Sequence, residues 1–140
     1  MDLLKLSNTK LAYHCARIAM GLSFFMHGFV RVPQWGEFSR ATAEQFSATV
    51  LPEPLVYAFA SVIIIVEVVA GIMLLVGGRF VRIACAVSIL YLGVLMFGSG
   101  MIQNWGAVQS QLVHLIVFYI ILTNEHTQNP YGAEHSKARV

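Results

Sequence analysis

Long apolar runs separated by short polar punctuation make up most of this chain. They cover roughly Leu11–Val30, Leu55–Val76, Phe80–Ile102 and Ala107–Thr123. A bilayer core about 30 Å thick is crossed by about 20 apolar residues at 1.5 Å rise each, so each run has close to the length of a membrane span. In lipid every backbone amide must find its partner within its own segment, which predicts helices rather than open strands. The pattern predicts an all-α integral membrane protein built as a four-helix antiparallel bundle. Residues 11–123 would form the bundle, 1–10 a cytoplasmic N-terminus and 124–140 a polar cytoplasmic tail.

The connections sharpen this picture. Gly77–Gly78 suits a helix end that needs left-handed backbone. Met101–Gly106 reads as a tight polar turn, with Trp105 suited to a membrane interface. Pro52 and Pro54 punctuate the start of the second span, where the first helical turn tolerates proline. Gln34–Thr49 is the one long connection. Trp35, Phe38, Thr42 and Phe46 recur there near helical spacing, which fits a short helix lidding the bundle or lying on the membrane; a polar loop is the alternative.

Charge sets the expected orientation. Lys5, Lys10, Arg79, Arg82, Lys137 and Arg139 cluster on one side of the threading. On the other side Arg31 and Arg40 are balanced by Glu37, Glu44 and Glu53. The positive-inside rule then places both termini and the Gly77–Gly78 turn in the cytoplasm, with the opposite side in the periplasm if the host is a Gram-negative bacterium. Composition agrees: 57% of the 140 residues are hydrophobic and only 11% are charged, against about 25% charged in soluble domains. The net charge of +2 and the lack of a basic patch interleaved with aromatics give nucleic-acid binding no support. Cys15 and Cys85 fall within predicted helices, where thiols usually behave as small hydrophobes, so no disulfide framework follows. A redox pair would require their two helices to touch. No CxxC, HExxH, GxxxxGK or GxGxxG is present, and no metal site is predicted.

Polar residues inside the spans carry the chemistry. Glu67 sits midway along the second span, where an ionised carboxylate costs several kcal/mol unless paired. Depths counted along the helices put Arg17 about 6 Å from Glu67 at 1.5 Å per residue, so an Arg17–Glu67 ion pair is expected. Toward the other membrane face, His27 and Arg31 share one side of the first helix, and Gln111 and His114 share one side of the fourth. With Glu67 below them they would line a polar pocket. Imidazoles there can donate hydrogen bonds to a quinone carbonyl, pass protons or ligate a haem. Helix–helix hydrogen bonding by the histidines and headgroup contact by Arg31 are the plainer alternatives.

The run ARIAMGLSFFMHGFVRV resembles the first-helix pattern of the DoxX family of small bacterial membrane proteins. IVEVVAGIMLLVGGRFVRIA is similar to that family's Glu–x–x–x–Gly, Leu-rich, Gly–Gly stretch followed by basic residues. Arg17, Gly21, His27, Gly28, Arg31, Glu67, Gly71 and Gly77 are the matching positions, although the basic residue after His–Gly is more often Lys in the family. The resemblance implies a four-helix membrane protein linked to redox chemistry, since the family takes its name from a subunit of a thiosulfate:quinone oxidoreductase. Other members are associated with oxidative-stress defence.

Residues and resemblance together give one functional expectation. A quinone would bind near His27, Arg31, Gln111 and His114, with Glu67, His27 and His114 as its catalytic groups. The chain would serve as a quinone-binding or electron-transfer subunit, or as a quinone-linked oxidoreductase itself. Glu67 would relay protons and Arg31 would stabilise developing negative charge. Two other classes stay open: a small b-type cytochrome with His27 and His114 as axial ligands, and a non-catalytic scaffold for an oxidoreductase or a second copy of the chain.

Overall fold

The structure is a computed structural model, and it describes residues 6–128. Among these, regular structure is helical throughout: α1 (Asn8–Phe29), α2 (Trp35–Gln45), α3 (Glu53–Val76), α4 (Arg79–Met101), α5 (Trp105–Thr123) and the short α6 (Glu125–Gln128), with one 3₁₀ turn at Val32–Gln34. Lys5, His135, Lys137 and Arg139, with most of the expected tail, lie outside the described residues.

Local chemistry sets the helix ends. The Ser7 side chain accepts from the Lys10 amide at the start of α1, and Asn104 accepts from the Ala107 amide at 3.1 Å to open α5; such caps satisfy amides that have no partner within the helix. Pro52 precedes α3 and Pro54 lies in its first turn. At the other end Gly77 (φ 86°, ψ −157°) and Gly78 (φ 60°, ψ −141°) turn the chain into α4, a backbone region essentially restricted to glycine.

Among the described residues, three helices are long and apolar enough to cross a membrane: α3, α4 and α5, with mean hydropathy 2.8, 2.2 and 1.6 over their best windows. The first predicted span is not among them, because α1 carries His14, Arg17 and His27 in its apolar run. The surface nevertheless has the inverted polarity of a membrane protein. Val62, Ile65, Val69 and Ile72 form an exposed stripe on α3, and Val87, Leu90, Val94 and Phe97 form one on α4. Glu67, Ser39 and Ser88 are buried. Contiguous apolar surface on this scale calls for an apolar solvent, and lipid supplies it.

Packing centres on α3, which contacts α1, α2 and α4; α5 packs on α4 and touches α1. The α1–α3 crossing is backbone against backbone. A Cβ on Gly71 would stand 2.4 Å from the Phe25 amide nitrogen, and one on Gly28 would stand 2.8 Å from the Ile64 carbonyl oxygen. Small residues at such crossings let membrane helices approach closely.

The long connection forms a helix, α2, laid on α3 at the end of the molecule away from Gly77–Gly78. Its deepest residues are Ser39, fully buried, and Ala43, with Phe38, Thr42 and Phe46 half-buried beside them. The small pair permits the close approach, and Ser39 Oγ lies 3.0 Å from Ser61 Oγ on α3.

Candidate functional site: a polar cavity beneath α2

The α1–α3 crossing fixes which charges meet. Gly28 lies against Ile64 and Val68, Phe25 against Gly71, and Arg17 against Gly77. Glu67 is therefore level with residue 28 of α1. Arg17 lies eleven residues away, about 16 Å at helical rise. The expected Arg17–Glu67 pair does not form. Arg31 makes it instead: its Nη1 donates to Glu67 Oε2. The depth count assumed that α1 and α3 end flush, whereas α1 overhangs the Gly77 turn by about two turns, and Tyr13 in that overhang packs on His126 of α6, ring centroids 5.8 Å apart.

Arg17 has a different task. Its Nη1 donates to the carbonyl of Leu74 and, at 3.1 Å, to that of Leu75. The last carbonyls of a helix have no partner within it and form the negative end of its dipole, so a guanidinium there both bonds and neutralises them.

Glu67 is 6% exposed and both its oxygens are engaged. Oε2 accepts from Arg31, and Oε1 accepts from the Tyr91 hydroxyl at 2.9 Å. Arg31 is held a second time, its guanidinium carbon 4.7 Å from the Phe38 ring centroid on α2, a cation–π contact. Four helices thus meet at this carboxylate, through Arg31 after α1, Phe38 of α2, Glu67 of α3 and Tyr91 of α4.

Beside this network lies a cavity of about 260 Å³. His27, Arg31, Glu67, Gln111 and His114 all line it, joined by Phe24, Phe38, Tyr91, Leu95 and Ser110. The two imidazoles stand edge to face, ring centroids 5.9 Å apart. Each has its Nδ1 at 2.8 Å from the carbonyl oxygen four residues earlier, Ser23 for His27 and Ser110 for His114. A carbonyl can only accept, so Nδ1 carries the proton and donates. In the tautomer this sets, Nε2 is bare, an acceptor where a donor was expected. Gln111 Nε2 donates to Ser99 Oγ at 3.0 Å, and its Oε1 is buried without a partner. Phe24 forms the apolar wall, edge to face with Phe118 at 4.7 Å.

Tyr91 was missing from the sequence reading, and Phe38 entered it only as part of the aromatic stripe of the long connection, not as a site residue. Tyr91 had a usable signal: counting equal distances from the Gly77–Gly78 turn puts residue 88 opposite Glu67, and Tyr91 one turn further on. Cys15 is exposed, Cys85 is buried, and both thiols are free. Among the described residues no group of three or more His, Cys, Asp or Glu is placed to hold a metal ion.

A small helical membrane protein with a carboxylate-anchored polar cavity is the class that fold and site define. The chain belongs to the DoxX family, whose model matches residues 12–101. The matched region covers α1 to α4 and stops before α5, so Gln111 and His114 lie outside it. No curated protein and no solved structure matches the chain.

Proposed function

We propose that this chain is a four-pass bacterial inner-membrane protein with both ends cytoplasmic, whose cavity holds the head group of a quinone or a similarly small aromatic molecule. In this reading it is the binding or electron-transfer subunit of a redox system, partnered by an oxidoreductase. The observation that carries the proposal is the convergence of His27, His114, Arg31 and Glu67 on one cavity walled by aromatic rings.

The fourth crossing is α1. Ile18, Leu22, Met26 and Phe29 face outward as an apolar stripe, while Arg17 is spent on the end of α3 and His27 on the cavity. A helix whose one charge within the apolar run is met by the carbonyls of its neighbour can sit in lipid despite a low mean hydropathy. With the Arg79 and Arg82 side facing the cytoplasm, α2 and the cavity lie toward the outer face.

The residues fit such a ligand in size and chemistry. Ligand pockets typically span about 300–1,000 Å³, and this one, at about 260 Å³, suits a single ring with its tail left in lipid. A bound quinone would supply a ring oxygen pair that exchanges two electrons and two protons. Arg31 offers positive charge beside one end of the ring, held in place by Glu67 and Phe38. His27 and His114 offer Nε2 as proton-accepting positions. Glu67, acceptor on both oxygens, orients Arg31 and Tyr91 rather than carrying protons itself.

The test is binding of a short-chain benzoquinone and its quinol to the protein in defined lipid, for wild type, His27→Ala and His114→Ala. Weakened binding in both variants is the expected result. Unchanged binding would favour the scaffold reading. A haem b between the two imidazoles is the competing occupant, and it would require the cavity of about 260 Å³ to open well beyond a single ring; a Soret band in purified protein would put it in place of the quinone.

A further inference from the structure

The hydrogen-bonding groups of the cavity are spent unevenly, and the imbalance selects for one form of the ligand. On the histidine side the protein uses its own protons internally. His27 and His114 give Nδ1–H to the Ser23 and Ser110 carbonyls, Gln111 gives an amide proton to Ser99, and Tyr91 gives its hydroxyl proton to Glu67. The lone pairs that these four cavity-lining side chains leave unused are two Nε2 atoms, Gln111 Oε1 and one on the phenolic oxygen of Tyr91. Gln111 Oε1 is the most telling, since it is buried and has no partner, and a buried polar atom left bare costs free energy that a ligand can recover. Ser110 can act in either sense. Arg31 is a committed donor, four residues on from His27, with Glu67 already on its guanidinium.

We infer that the cavity selects a ligand carrying an aromatic hydroxyl, the quinol or phenol form, over the corresponding carbonyl form. A hydroxyl brings the proton that the wall lacks, whereas a carbonyl oxygen would face nitrogen and oxygen lone pairs and repel them. The inference rests on the proposal that the cavity takes a small aromatic ring, and it adds which oxidation state is held. A second ring oxygen, directed at Arg31, is compatible with either state, so the histidine end alone sets the preference.

The experiment compares three probes on the intact protein in lipid nanodiscs under anaerobic conditions: a short-chain benzoquinol, the matching benzoquinone and the quinol dimethyl ether. The ether keeps the shape and removes only the donated protons. The quinol is expected to bind about tenfold or more tightly than either of the other two, as one or two recovered hydrogen bonds imply. His114→Phe and Gln111→Leu, each an acceptor removed at similar volume, should narrow that preference to about twofold; using two variants guards against one that fails to fold. Equal or tighter binding of the quinone or the ether overturns this inference and leaves the binding proposal standing. Failure of all three probes to bind removes both.

Discussion

Gly71→Ala tests the α1–α3 crossing on which the site depends. A Cβ there would lie 2.4 Å from the Phe25 amide nitrogen and 2.7 Å from its Cα, where ordinary contact begins at 3.4 Å. The shortfall is about 1 Å, and the obstacle is backbone, which cannot swing aside as a side-chain tip can. Overpacking of this kind costs about 1–3 kcal/mol, the upper half applying to a rigid neighbour. Alanine returns up to about 1 kcal/mol of helix propensity relative to glycine. The net expectation is a loss of about 1–2 kcal/mol. Gly93 on α4 is the matched control, since an added Cβ there meets nothing within 4 Å; Gly93→Ala should be neutral or stabilising by up to about 1 kcal/mol. Reversible unfolding in mixed micelles, followed by circular dichroism, measures both. Because Gly71 is one turn from Glu67, Gly71→Ala should also weaken quinol binding, and Gly93→Ala should not. Equal stability of the two variants would refute the close backbone approach and, with it, the register that brings Arg31 to Glu67.

Other expectations follow from the same register. In double-mutant cycles, Arg31→Gln and Glu67→Gln should couple by more than about 1 kcal/mol, whereas Arg17→Gln and Glu67→Gln should add within about 0.5 kcal/mol, as residues without shared partners do; coupling of the second pair would restore Arg17 as the partner. Arg17→Gln alone should cost about 1–2 kcal/mol through the lost bonds to the α3 carbonyls, read by the same unfolding assay, and Arg17→Lys should recover part of it. Tyr91→Phe removes the donor to Glu67 Oε1 and should cost about 1–2 kcal/mol; a neutral result in that assay would show the hydroxyl bond to be dispensable.

Secondary structure was legible because long apolar runs in a charge-poor chain leave the backbone few options. The candidate pocket was legible for a related reason: polar residues are so scarce in these runs that His27, Arg31, Gln111 and His114 stand out, and one-turn spacing puts each pair on a common helix side. The Arg–Glu pairing was misread because helical rise gives depth only from a known starting level, and nothing in the sequence marks how far α1 overhangs Gly77. The clue lay in the glycines, since Gly28 and Gly71 must meet backbone. The histidine tautomers were beyond reach, because they depend on a ring turning back to the carbonyl of its own helix. The lid was half legible: its aromatic stripe was visible, but Ser39 and Ala43, which let it pack on α3, look like ordinary polar-loop residues.

The central claim is that a small aromatic molecule occupies the cavity beneath α2. Mass analysis of whatever copurifies with the protein tests it most directly, comparing wild type with Ser110→Phe, a variant designed to fill the cavity without touching the Arg31–Glu67 pair. The account predicts an aromatic molecule with one or more ring oxygens, near one per protein in wild type and depleted at least about tenfold in the filled variant. Wild type carrying no such molecule, or the variant retaining it at the same level, would contradict the account.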